Sequence, residues 1–327
     1  MKIMVYEARP DERADLEKQA ALHGVELSVT DAVPTLENAS LAAGCIGVSI
    51  LGQGCIDAAL LDAYHALGIR YLSTRTIGYD HIDLDHARSI GLRVCSASYA
   101  PNGVADFTVM MILMCLRHYK QALWRGQVND FSLTGLQGRE MKDLTIGIIG
   151  TGRIGAQVAR NLSGFGCRIL AYDLRRNPAV EPQVTYVDFD TLLAQSDVIT
   201  LHMPLLDSNR HIINRESIAK MRDGVVIVNC SRGELADIEA LIEGIETGKI
   251  GALGMDTVEG DEGIIHADHR VDILPNRNWF YLHQFRNVIM TQHMAFYTEQ
   301  AVDSMVQCGI EGIVKMVEEG TYPTMLD

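Results

Sequence analysis

Short apolar runs recur along the whole chain, separated by stretches long enough for helices. In the first third KIMVY, VELSV, IGVSI, IRYLS and LRVCS are each rich in strand-forming residues. The segment RPDERADLEKQAALHG between the first two has helical length and charge. Strands alternating with helices at this spacing predict a parallel sheet covered on both faces. A single long apolar helix is expected over GVADFTVMMILMCLRHYKQALWRG, whose Met and Leu side chains mark core packing. From Leu144 the alternation restarts with LTIGIIG, RILAYD, DVITLHMP, GVVIVNCSRG, IGALGMD and NVIMTQH, joined by helix-sized segments such as RIGAQVARNLSGFG and ELADIEALIEGIETGK. The prediction is an α/β chain with two doubly wound parallel-sheet domains. The loosest stretch, Asp261 to Gln284, is charged and rich in His, Asn and Asp.

Composition narrows what such a chain can bind. With 327 residues, 47% of them hydrophobic, it can bury two cores. A formal net charge of −14 argues against nucleic acid and anionic membranes, both of which need a basic face, and leaves a small molecule as the expected ligand. No window approaches the ~18 uncharged apolar residues of a membrane span, and MKIMVYEARPDER holds no apolar signal region. Cys45, Cys55, Cys95, Cys115, Cys167, Cys230 and Cys308 are odd in number and never spaced C-x-x-C. Neither a disulfide framework nor a zinc site is indicated, no metal is expected, and a cytoplasmic setting fits best.

One glycine pattern carries specific chemistry. In LTIGIIGTGRIGAQVARNL, Gly150, Gly152 and Gly155 form G-x-G-x-x-G directly after an apolar run and at the start of a helix with Ile154, Val158 and Leu162 on one face. Gly150 permits a tight turn, Gly152 lets a pyrophosphate approach the backbone, and Gly155 lets helix and strand pack closely. Arg153 and Ile154 lie inside this turn. The next run, RILAYD, ends in Asp173, near the ~20-residue spacing of a ribose-binding acid. A carboxylate there favours NAD over NADP, although Arg175 and Arg176 just beyond could accept a phosphate.

Ligands of open α/β sheets bind beyond the carboxyl ends of the strands. Three such ends carry reactive groups: Cys230, Ser231 and Arg232 after VVIVN; Asp256, Glu259, Asp261 and Glu262 after IGALGM; and His293 after NVIM. Each alone suits an ordinary surface ion pair, a solvated loop or a strand-end hydrogen bond. Delivered together beside a nicotinamide they suit hydride transfer to a 2-oxo acid. Arg232 would bind the substrate carboxylate and polarise the oxo group, His293 would protonate the carbonyl oxygen, and an acid would hold its tautomer.

On STRTIGYDHIDLDHARSIGLRV, YAPNGVADFTVMMILMCLRH, LTIGIIGTGRIG, NCSRGELADIEALIEGIETGKIG, MDTVEGDEGI and HMAFYTEQAV, the chain resembles the D-specific 2-hydroxyacid dehydrogenases, most closely their D-lactate dehydrogenase branch. The resemblance implies a flavodoxin-like catalytic domain built from both termini, 1–98 with 297–327, and a central NAD-binding Rossmann domain, 99–296, commonly paired as a homodimer through the NAD domain. It implies Arg232 as the substrate arginine and His293 as the acid/base group. The backbone at Ile77 and Gly78, with Tyr99, would hold the substrate carboxylate, and Tyr297 would line the pocket. Asp256 would meet the nicotinamide carboxamide, with His202, Pro204 and Cys230 beside the cofactor. Two departures stand out. The family's histidine-paired glutamate falls on Asp261, one methylene shorter, with Glu262 out of step by one. Gln292 stands where the family usually has proline, so other contacts must hold the histidine loop.

The expected activity is NAD-dependent interconversion of a small 2-oxo acid and its D-2-hydroxy acid, with pyruvate and D-lactate the first pair. The alternatives are a larger 2-oxo acid, a phosphorylated hydroxy acid, and an NADH-binding sensor or corepressor-like module with weak catalysis.

Overall fold

The apolar runs of the first third become β1 (Lys2–Val5), β2 (Glu26–Val29), β3 (Gly47–Ile50), β4 (Tyr71–Thr74) and β5 (Arg93–Cys95). All pair in parallel, in the order β2-β1-β3-β4-β5, which is the flavodoxin-like arrangement. Strands β3 and β4 are buried along almost their whole length, as a sheet covered on both faces requires. One face packs against the C-terminal helix Glu299–Glu318, whose Val306, Ile310 and Ile313 join Ile3 and Val5 in a core cluster.

The later runs become β6 (Thr145–Ile149), β7 (Arg168–Tyr172), β9 (Val198–Leu201), β10 (Val225–Asn229), β11 (Ile250–Met255) and β12 (Val288–Met290), with the two-residue β8 (Thr185–Tyr186) between β7 and β9. Their order is β12-β11-β10-β9-β6-β7-β8, again all parallel. The direction of winding reverses between β6 and β9, where a Rossmann sheet opens its ligand crevice. The computed structural model describes residues 1–274 and 276–326. It divides into two units, Met1–Ala100 with Tyr297–Asp327 and Pro101–Phe296. The first division falls two residues beyond the expected 98/99 boundary, so Tyr99 belongs with the terminal segments.

Two expectations need correction. The long apolar helix is two helices, Asn102–Leu116 and Tyr119–Gln127, because His118 takes φ +51° and its Nε2 lies 3.1 Å from the Gln137 carbonyl oxygen. A left-handed residue cannot continue an α-helix. The loose 261–284 stretch contains the helix Arg277–His283, capped by Asn276, whose Oδ1 accepts from the Trp279 N–H at 3.0 Å.

Two buried polar clusters organise the terminal unit. Arg75 and Glu12 are both fully buried and paired at 3.1 Å, and Arg75 Nη2 also donates to the Tyr6 carbonyl at 3.0 Å. Glu7, just beyond β1, has φ +54°, and its carboxylate accepts from the backbone N–H groups of Leu51, Gly52, Gln53 and Gly54. One buried carboxylate thus organises the whole turn after β3.

Candidate active site

The glycine turn follows β6 directly and leads into the helix Arg153–Ser163. Gly150 has φ +93°, and a Cβ there would meet the His202 carbonyl oxygen at 2.5 Å. A Cβ on Gly155 would sit 2.0 Å from the Gly150 oxygen, whereas one on Gly152 would meet nothing within 4 Å. Two glycines are therefore required by the protein's own packing, and the third leaves open space at a helix N-terminus where a pyrophosphate can lie. Asp173, one residue past β7, returns to this turn: its Oδ2 accepts from the Thr151 N–H at 2.6 Å and its Oδ1 from the Arg175 N–H at 2.9 Å. Thr151 Oγ1 also donates to Oδ2, at 3.1 Å, and the carboxylate so held at the turn keeps acceptor capacity for a ribose hydroxyl. These features fit a dinucleotide.

His202 lies just beyond β9, its N–H donating to the Ile149 carbonyl at 2.7 Å and its Nε2 2.9 Å from Thr200 Oγ1. Burial pushes its pKa down to about 3, and its Nδ1 has no partner among the described residues. The ring is therefore neutral at physiological pH. In the neighbouring loop the Pro204 carbonyl accepts from Asn209 Nδ2 at 2.8 Å, and the Met203 carbonyl from Ser231 Oγ at 2.6 Å. The second bond ties the ends of β9 and β10 together. Cys230 is buried, and that burial pushes its thiol up, away from reactivity.

The loop bearing Arg232 is shaped by Asn229, the fully buried last residue of β10. Its Nδ2 donates to the Arg232 carbonyl at 2.7 Å and its Oδ1 accepts from the Ser231 N–H at 3.0 Å. Gly233 then runs against the chain after β11, where a Cβ would meet the Val258 and Glu259 backbone at 2.3–2.5 Å. That close approach brings the arginine loop against the acidic loop. Glu259 braces the junction, lying 2.6 Å from His211 Nε2 and 3.5 Å from Arg210 Nη2.

Asp256 is 1% exposed and follows β11. Its Oδ1 accepts from Thr291 Oγ1 at 2.6 Å and from the Met294 N–H at 2.9 Å, and its Oδ2 from the Ala295 N–H at 2.8 Å. Asp256, expected to meet the cofactor, also anchors the loop that carries His293. The stretch IGALGMD gave no sign of this, because all three donors lie more than thirty residues away. His293 itself takes φ +51°, a left-handed conformation costing a bulky residue about 1–2 kcal/mol, which surrounding bonds must offset.

Asp261 is part-buried and closes a turn, its Oδ2 accepting from the Val258 N–H at 3.1 Å while its own N–H donates to the Val258 carbonyl at 3.1 Å. Burial pushes its pKa up to about 6, opposed by the Val258 hydrogen bond and assisted by Glu262, Glu234 and Asp256. Glu262 is exposed. Two site residues escaped sequence reasoning. Asn229 carried a usable signal, as an amide ending a buried strand just before a turn. His266 carried none, and its Nε2 lies 3.3 Å from the His293 carbonyl oxygen.

In the terminal unit, Ile77 and Gly78 follow β4. Thr76 Oγ1 donates to the Gly78 carbonyl at 2.7 Å, and among the described residues neither the Ile77 nor the Gly78 N–H has a protein acceptor. Tyr99 is half-buried, and the Tyr297 ring lies 5.1 Å under the Arg9 guanidinium.

A Rossmann sheet, a glycine turn with open space at its centre and an acid at the next strand end define an NAD-dependent oxidoreductase. The family model for the D-isomer specific 2-hydroxyacid dehydrogenase NAD binding domain matches residues 109–295. An aromatic 2-oxoacid reductase of Clostridium sporogenes is 40% identical over 98% of both chains. A D-lactate dehydrogenase of Lactobacillus delbrueckii subsp. bulgaricus is 38% identical over 97% of this chain and 96% of its own. The solved structure of a Lactobacillus jensenii D-lactate dehydrogenase with NAD+ superposes with a TM-score of 0.86 at 32% identity, covering 100% of both chains. The chain belongs to the D-isomer specific 2-hydroxyacid dehydrogenase family, and NAD is its cofactor. Among the described residues no helix is long and apolar enough to cross a membrane.

Proposed function

We propose that this dehydrogenase reduces a small 2-oxo acid to its D-2-hydroxy acid, with pyruvate to D-lactate the first pair. The carrying observation is that Arg232, Asp261 and His293 lie beyond adjacent strand ends of the NAD unit, the arginine loop shaped by Asn229 and the three loops pinned to one another through Gly233 and Asp256. NADH, when bound, supplies the hydride. Arg232 takes the substrate carboxylate and draws charge from the oxo group, its planar fork suiting both tasks. His293 delivers the proton to the carbonyl oxygen. Asp261, ionised above a pKa of about 6, holds that imidazole in its protonated form, and its burial favours it over the exposed Glu262. Asp173 takes the ribose hydroxyls and thereby selects NAD over NADP, while Asp256 acts on the chemistry by holding the His293 loop. In the terminal unit, which is the substrate domain on this reading, the Ile77 and Gly78 N–H groups suit a carboxylate, with Tyr99 and Tyr297 as lining.

The likeness to the aromatic 2-oxoacid reductase puts phenylpyruvate beside pyruvate as the second reading. Oxidation of NADH by purified protein with pyruvate, phenylpyruvate, 2-oxoisocaproate and 2-oxoglutarate tests both. Highest kcat/KM with pyruvate supports the first reading, highest with phenylpyruvate the second, and no oxidation with any acid refutes the substrate class. His293→Gln should lower turnover about 100-fold while leaving NADH affinity nearly intact; unchanged turnover removes His293 from the mechanism.

The homodimer belongs to this proposal. The helix Tyr119–Gln127 and the residues after it expose Trp124, Phe131 and Leu133 at 64%, 79% and 83%, an apolar strip that a second copy would cover. Trp124→Glu should shift the sedimenting species to monomer. A cytoplasmic setting is also proposed, supported by seven free thiols.

A further inference from the structure

We propose, on the reading of His293 as the acid–base group, that His266 is a positioning residue that clamps the His293 peptide and aims its imidazole. The His266 Nε2–H faces the His293 carbonyl oxygen at 3.3 Å. A carbonyl only accepts, so the proton is on Nε2. The other end of the same peptide unit, the Met294 N–H, donates to Asp256 Oδ1 at 2.9 Å. With oxygen and N–H both pinned, that peptide plane cannot turn, ψ of His293 is held, and the direction of its Cβ is set.

The side chains repeat the arrangement. The His266 and His293 ring centroids are 6.2 Å apart, and each ring meets Phe296 edge-on, at 6.5 Å and 6.3 Å. Edge-on contacts at this distance are favourable and restrict the orientation of the imidazole. His266 lies five residues beyond Asp261 in the same loop, so the segment that supplies the acid also returns to hold the histidine. His266 has φ +62° and His293 φ +51°, a pair of left-handed residues that persists only where surrounding bonds require it. Gln292 leaves the backbone before His293 without proline's fixed φ. The clamp supplies restraint at that point.

The test uses the full chain with NADH and its best 2-oxo acid, comparing His266→Phe, which keeps a ring and loses the donor, with His266→Gln, which keeps a donor. His266→Phe should lower kcat about 5- to 10-fold, as expected for the loss of one hydrogen bond at an oriented catalytic group. KM and NADH affinity should stay within about 2-fold, and the solvent isotope effect on kcat should rise as proton transfer becomes limiting. His266→Gln should recover most of the loss. A wild-type kcat in His266→Phe overturns the proposal, as do equal losses in both variants or a parallel fall in NADH affinity. His293→Gln is measured alongside. If it retains turnover, the reading of His293 fails; if it is inactive while His266→Phe is normal, only the clamp fails.

Discussion

Replacing Asp261 with asparagine should stabilise the protein at neutral pH while slowing it. The carboxyl is pushed up to about 6 from an ordinary 3.8, chiefly by burial. Two units at about 1.4 kcal/mol each give roughly 3 kcal/mol for ionising it in the folded state. Because the side chain is only part-buried, solvent screening brings the expected value nearer 1–2 kcal/mol. A raised folded-state pKa contributes stability that is complete below about pH 4 and lost as pH rises through about 6. The wild-type protein should therefore lose stability over that window and run level above it. Asparagine cannot ionise, and its Oδ1 can keep the Val258 N–H bond, so Asp261→Asn should be more stable by ~1–2 kcal/mol at about pH 7–8 and nearly equal at about pH 4. Urea unfolding of both proteins across that range measures the difference. Turnover should fall, and the limb of the kcat profile near pH 6 should be lost. A variant less stable than wild type at neutral pH, or a difference that does not change with pH, would refute the burial argument.

Asp256→Ala removes the acceptor for Thr291, Met294 and Ala295; thermal and urea unfolding should report a loss of about 3 kcal/mol or more, with turnover falling beyond what stability explains. Gly152→Ala should leave the melting temperature within about 1 °C, since its added Cβ meets nothing, yet weaken NADH at least 10-fold in a fluorescence titration. Gly155→Ala, whose Cβ would overlap the Gly150 oxygen, should cost fold and cofactor binding together. Glu7→Gln keeps the shape of the buried carboxylate but cannot accept from the 51–54 turn through both ends; a loss of about 2–3 kcal/mol in urea unfolding is expected, and an unchanged midpoint would show that the turn holds itself.

Much of this protein follows from neighbouring residues alone. Apolar runs alternating with helical lengths specify parallel sheets, because a strand covered on both faces needs continuous apolar character over a few positions. The glycine turn and Asp173 are equally local, their meaning depending on one strand, one helix start and one spacing. Arg232 and His293 were legible as strand-end residues for the same reason. Other features came only from segments far apart in sequence. The helix expected over residues 103–126 breaks at His118, whose ring meets a carbonyl nineteen residues on, and the short β8 has too few residues to show a period. The hold of Asp256 on Thr291, Met294 and Ala295 was not legible, because loop packing brings those donors from a distant segment. The Glu7-capped turn, the raised pKa of Asp261 and the hold of His266 on His293 likewise depend on what burial and chain return place around each group. Periodicity specifies where a backbone goes, but the partner of a buried carboxylate is decided only when distant loops meet, since hydrogen bonding and desolvation act through space rather than along the chain.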